Sequence, residues 1–97
     1  MKLYDMTGAP NTRRVRIFLA EKVIEVEKVE VDVMGGEYLQ PEYLAINPRG
    51  LVPTLQLDDG SVLDESSAIC RYFEDTNPEP HLYGDDAKSK ALIEAWI

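Results

Sequence analysis

The sequence predicts a small α/β (α+β) domain in the order β-α-β-α-β-β-α, with a mixed four-stranded sheet covered by helices. Three observations carry that prediction. A strand, a helix and a second strand open the chain, and such a unit closes by a right-handed crossover into a parallel pair. Apolar residues recur at helical spacing in two long stretches, one after Pro10 and one after Asp64. Asp59-Gly60 sits between two apolar runs, the strongest short-range signal of an antiparallel hairpin. A chain of 97 residues makes at most one ordinary domain. At that size roughly 60–65% of the unfolded surface is buried, enough for one core.

"KLYDM", residues 2–6, reads as the first strand and is closed by the Gly and Pro of "TGAP". From Pro10, "PNTRRVRIFLAEK" places Val15, Phe18, Leu19 and Lys22 on one helical face and turns Arg13, Arg14 and Arg16 outward. Pro10 suits the first helical turn, where its missing N–H costs nothing. "EVEKVEVDV" alternates Val29, Val31 and Val33 with charges, the pattern of a strand with one wet face. A short helix near residues 41–46 is bounded by Pro41 and Pro48. "VPTLQL" forms a third strand, and "VL", beyond "DDGS", a fourth. "DESSAICRYFEDTN" opens on Asp64, a good N-cap, and lines up Ala68, Ile69, Tyr72 and Phe73 on a helix over about 65–76.

"NPEPHLYG" then interrupts the periodicity with prolines and a glycine, and "DDAKSKALIEAWI" restarts it with Leu92 and Trp96 on one face. A helix of this length is marginal by itself in water. The expected organisation is therefore a domain over 1–77 and a linker over 78–87. Residues 88–97 are then the start of the first helix of a second domain, which makes the chain a fragment.

Composition excludes several classes of function. Hydrophobic residues at 44% and charged residues at 29% suit a soluble globular chain. No apolar run approaches a membrane span, and "MKLYDM" lacks the apolar core of a signal peptide, so the reading is cytoplasmic with no membrane partner. Acidic residues outnumber basic ones 18 to 10, a formal charge of −8 that opposes nucleic-acid binding. The one cluster of basic residues, "RRVR", reads as a solvated helix face. A single cysteine, Cys70, and a single histidine, His81, rule out a structural zinc site and a disulfide within the chain. Cys70 falls in mid-helix, where it packs as a small apolar residue.

"RGLVPTLQL" raises a local contradiction. Leu51, Val52, Leu55 and Leu57 suit a half-buried strand, yet Pro53 removes a ladder donor from its middle. The surrounding blocks supply a reason. "NPRGLVPTL" followed by "SVLDESSAICRYF" resembles the N-terminal domain of the glutathione S-transferase superfamily, matching its Asn-Pro, Val-Pro and Glu-Ser-x-Ala-Ile-x-x-Tyr blocks at Asn47-Pro48, Val52-Pro53 and Glu65 to Tyr72. "KLYD" and "RRVRIFLAEK" are similar to the first strand and helix of bacterial members of the theta and nu types.

The resemblance implies a thioredoxin-like fold with a cis proline at Pro53 before the third strand, a bond that only proline makes at low cost. It implies that the backbone of Val52 pairs in β fashion with the cysteinyl unit of glutathione. Glu65 would meet the γ-glutamyl ammonium group. Ser66, with the N–H groups opening its helix, would meet the γ-glutamyl carboxylate. The basic residue that many members place just before Val-Pro is Leu51 here, leaving Arg49 or Gln40 for the glycyl end.

Members also lower the pKa of the glutathione thiol with a donor at the start of the first helix. A shift of two units needs roughly 2.7 kcal/mol, on the order of one charge-assisted hydrogen bond plus a helix N-terminus. In "TGAPNTRR", Ala9 and Thr12 fall where a thioredoxin has its cysteines, which excludes dithiol chemistry by the protein's own side chains. Asn11, in a Pro-Asn pair similar to that of nu-type members, Thr12 and the backbone N–H groups remain as donors. Asn11 could equally cap the helix.

The implied activity is conjugation of glutathione to an electrophile or glutathione-dependent disulfide reduction, by a protein that dimerises with itself and draws its electrophile pocket mostly from an all-helical second domain. The alternative is a non-catalytic interaction module serving in assembly, favoured by the lack of an active-site serine, tyrosine or cysteine.

Overall fold

The computed structural model describes residues 1–32 and 34–96. Strands β1 (Lys2–Asp5), β2 (Glu27–Glu30), β3 (Thr54–Gln56) and β4 (Val62–Asp64) form one sheet in the order β2-β1-β3-β4. β1 and β2 are parallel, joined through helix α1 (Pro10–Glu21), whereas β1–β3 and β3–β4 are antiparallel. Helix α2 (Pro41–Leu44) precedes β3, α3 (Ser66–Thr76) follows β4, and α4 (Ala87–Glu94) follows an irregular segment. This is the predicted thioredoxin-like order.

The pleat decides which residues form the core. Leu3 and Leu55 are cross-strand partners, as are Leu55 and Leu63, so leucines from three strands share one face. α1 lays Val15 and Leu19 on that face, and α3 adds Ile69, Cys70 and Phe73. Fully burying each of these apolar side chains is worth about 1.5–3 kcal/mol. Tyr4 points to the opposite face, where its ring meets Tyr43 of α2 edge-on at 5.8 Å. The sheet is thus covered by α1 and α3 on one side and by α2 on the other.

Several local expectations change. β3 begins at Thr54, because Pro53 has no ladder donor to offer. β2 ends at Glu30; Val31 follows it into the core at 2% exposure, with its N–H on Asp5 O at 2.7 Å, and Val33 lies outside the described residues. Asp64 does not cap α3. It ends β4, and Glu65 takes the N-cap position without a side-chain cap bond. Arg16 is not turned outward, because Asp5 shares the inward side of β1 with Leu3 and a buried carboxylate needs a cation. The two pair at 2.6 Å.

Lys22, on the apolar face of α1 as predicted by spacing, is fully buried and reaches a charge. Its ammonium pairs with Glu74 of α3 at 2.7 Å and donates to the carbonyls of Asn77 and Pro80. Glu74 Oε2 accepts the N–H of Tyr83 at 3.1 Å. Residues 77–83 are therefore fastened across α1 and α3. Beyond them α4 starts on a capping box between Asp86 and Ser89, and none of its described residues is buried.

Candidate functional site

Three chain segments meet at the rim where β1 ends. Carrying the β1–β3 register beyond Tyr4–Thr54 sets Val52 beside Met6, and carrying the β3–β4 register beyond Thr54–Asp64 sets Pro53 beside Glu65. The start of α1 follows Met6 by one turn, Ala9 N–H returning to Met6 O at 3.1 Å. Arg14 of α1 donates to Ser66 Oγ at 3.2 Å, and Arg49 pairs with Asp64 at 3.3 Å and with Glu65 at 3.6 Å. The start of α1, the Val52–Pro53 bond leading into β3 and the Glu65–Ser66 start of α3 thus lie toward the same end of the sheet.

The segment before β3 is held by a polar network. Tyr43 Oη lies 2.5 Å from Leu51 O and 2.8 Å from Thr54 Oγ1. Asn47 Nδ2 donates to Thr54 Oγ1 at 2.9 Å, and Thr54 Oγ1 lies 3.0 Å from Leu51 O. Burial raises the Tyr43 phenol above its ordinary pKa, partly offset by the bond to Thr54. Gly50 turns the chain at φ 63°, and a Cβ there would meet Tyr38 O at 3.1 Å, so a side chain would be both strained and crowded. The Val52–Pro53 bond is cis, as the resemblance implied.

Asn11 and Thr12 face in opposite directions. Asn11 is exposed and, one residue past Pro10, is not the cap; that position is Ala9, which has no side-chain cap bond. Thr12 is wholly buried, its hydroxyl 2.6 Å from Met6 O and 2.9 Å from Ala9 O, while Arg16 donates to it at 3.1 Å. The expectation of Thr12 as a thiol donor is corrected accordingly: it ties down the β1–α1 turn. A residue spaced with Val15 and Leu19 lies on the inner face, which is why a polar residue there must find backbone partners.

Glu65 is exposed, at φ 67° and ψ 114°, a region a residue with a side chain seldom occupies. Ser66 is 6% exposed and opens α3. Arg49 stands at the Glu65 end of the rim. Gln40 caps α2 by position and borders a cleft of about 360 Å³ with Tyr4, Val29 and Tyr43. Cys70 is buried one helical turn beyond Ser66, and burial pushes its thiol up to about 11, with Arg14 pulling it down in part. Among the described residues, no group of three or more His, Cys, Asp or Glu is arranged to hold a metal ion.

Motif reading missed Tyr43, Thr54, Arg14 and the Asp5–Arg16 pair. Asp5 did leave a signal, since an acid alternating with Leu3 on a core-facing strand demands a cation. Tyr43 and Thr54 left none, because their meeting depends on how α2 lies against the sheet.

A parallel β1–β2 pair extended by an antiparallel hairpin, with a cis X-Pro beside two helix starts, defines a thioredoxin-like domain. The sequence profile of the glutathione S-transferase N-terminal domain matches residues 3–81, and the chain belongs to that family. It is 43% identical over 93 residues to maleylacetoacetate isomerase of Pseudomonas aeruginosa, covering 94% of this chain and 44% of that protein. It is 40% identical over 95 residues to glutathione S-transferase 2 of Saccharomyces cerevisiae, covering 96% and 41%. A glutathione S-transferase domain-containing protein of Marinobacter aquaeolei superposes with a TM-score of 0.89 at 44% identity, over 98% of this chain and 47% of that one. A glutathione transferase homologue from Sulfitobacter, with bound glutathione, superposes with a TM-score of 0.88 at 33% identity, over 97% and 45%. The chain spans less than half the length of these relatives.

Proposed function

We propose that this domain binds glutathione along the rim and, in the whole protein, stabilises its thiolate for transfer to an electrophile or for reduction of a disulfide. The observation that supports the reading is the cis Val52–Pro53 bond leading into β3, with the α1 and α3 starts linked at the same end of the sheet through Arg14 and Ser66. Val52 offers main-chain groups to the cysteinyl unit, Ser66 and the N–H groups of α3 receive the γ-glutamyl carboxylate, and Glu65 receives the ammonium group. Gln40 and Arg49 remain the candidates for the glycyl carboxylate, although the pairing of Arg49 with Asp64 and Glu65 draws it toward the opposite end.

With Thr12 turned inward, Asn11 is the exposed side-chain amide at the start of α1, and its N–H₂ is the proposed donor to sulfur. The electrophile pocket, self-association and a cytoplasmic setting belong to the whole protein. Among the described residues no helix is long and apolar enough to cross a membrane. Residues 1–77 form the proposed glutathione-binding domain, 78–87 the linker, and 88–97 the opening of a helical domain, so the chain alone is expected to turn over electrophiles poorly.

The test is a titration of bound glutathione followed by thiolate absorbance. Wild type should hold the thiol below its free value of about 8.5. Asn11→Ala should raise it by about one unit while the ligand still binds. An unshifted wild-type thiol would favour the second reading, a non-catalytic interaction module serving in assembly, for which the unadorned Ala9 cap is the supporting observation. No binding at all would discard thiolate stabilisation by this domain and leave the assembly module.

A further inference from the structure

The junction of β4 and α3 is negatively charged. Asp64 and Glu65 both stand there, and Arg49 is already paired with each of them, in a chain whose formal charge is −8. An anion approaching Ser66 therefore meets repulsion unless another cation faces it. Arg14, from the neighbouring helix, is that cation. Its Nη1 donates to Ser66 Oγ at 3.2 Å, and among the described residues it makes no ion pair of its own. Arg16, by contrast, is committed to Asp5.

The hydrogen-bond direction matters. A guanidinium cannot accept, so Ser66 Oγ must be the acceptor, which leaves the serine O–H free to point elsewhere. Ser66 is nearly enclosed, so its oxygen is a fixed relay between Arg14 and whatever its proton meets. The guanidinium keeps further N–H donors beyond the one on Ser66, and a carboxylate accepts such a fork in bidentate fashion.

We propose that Arg14 is a binding and specificity-determining residue for the γ-glutamyl α-carboxylate, acting from α1 opposite the start of α3. The proposal rests on the glutathione reading above. Arg14 favours ligands that carry this carboxylate and offsets the field of Asp64 and Glu65, while Ser66 donates its hydroxyl proton to the same group.

The experiment measures the affinities of glutathione and of 4-aminobutyryl-cysteinyl-glycine, which lacks only that carboxylate, for wild type, Arg14→Met and Arg14→Lys. Arg14 is exposed, so the variants retain the core. Wild type should prefer glutathione by about tenfold or more, the usual strength of one charge-assisted pair. Arg14→Met should weaken glutathione by a similar factor and leave the analogue nearly unchanged, reducing the preference to what Ser66 and the α3 N–H groups supply, with Arg14→Lys between. Equal weakening of both ligands, or no change in either, would overturn the role of Arg14 while leaving glutathione binding intact. Failure of wild type to bind either ligand would overturn the glutathione reading and the role of Arg14 with it.

Discussion

Cys70 is the side chain most easily misjudged from sequence, being the lone thiol of a chain in a thiol-handling family. It packs among Val15, Ile69 and Phe73, and burial pushes its pKa to about 11. At neutral pH it is almost wholly protonated and therefore a poor nucleophile. Iodoacetamide should label it only slowly in the folded protein and promptly in urea, as read by intact mass. The raised pKa also fixes a sign. The neutral thiol favours folding fully below the unfolded value of about 8.5, and that contribution fades as pH climbs from there through about 11. Cys70→Ala should flatten this alkaline limb in urea titrations at increasing pH.

At the scale of the element, α1 ends against local preference. Lys22 is the C-cap, and Val23 follows at φ 56°, where glycine is the usual occupant. A β-branched side chain is strained in that region, and Val23 at 87% exposure recovers little by burial. Val23→Gly should raise stability by about 1 kcal/mol in urea denaturation, an inversion of what glycine does inside a helix. The turn beyond Val23 is closed by Ile24 N–H on Leu19 O at 2.9 Å, and glycine keeps that bond. The other end of α1 is equally particular: Pro10 sets the first turn, Thr12 ties it to Met6, and Asn11 is left outward.

Across the whole molecule, the Lys22–Glu74 pair joins the first helix, the third helix and the chain beyond Asn77. Burial pushes the Glu74 carboxyl up, but hydrogen bonds from Lys22, Tyr83 and Leu82 and the charge of Lys22 outweigh it, so it lies below the ordinary range. A depressed carboxyl stabilises the fold above its unfolded pKa of about 4.3, and the benefit is lost as pH falls through the lower folded value. Lys22→Met strands a buried carboxylate and should cost about 3–5 kcal/mol at neutral pH, a large share of a domain's stability. Lys22→Met with Glu74→Gln should recover part of that loss, measured by urea denaturation from pH 7 to pH 3.

Much of this architecture was legible in the sequence because its signals are local. Helical spacing gave α1 and α3, Asp59-Gly60 gave the β3–β4 hairpin, and the Val-Pro and Glu-Ser blocks pointed to the rim. The parts that escaped depend on tertiary meetings. The Lys22 latch needs α3 and the 77–83 segment to converge, and Asp64 reads as a cap until pairing with Thr54 claims it for β4. Thr12 and Asn11 carry similar donors in adjacent positions, and only the face each occupies separates them.

Glu65 sits at φ 67° with no cap bond in return, a conformation that costs on the order of 1–3 kcal/mol. On the proposed glutathione reading, selection for folding and selection for ligand pull this position apart. In a library varied at residue 65, sorting for protease resistance should enrich glycine, whereas sorting on immobilised glutathione should retain glutamate. A single enriched residue under both pressures would show that the strained backbone and the ligand contact are independent. The divergence, if found, makes Glu65 a position whose observed residue records which pressure shaped it.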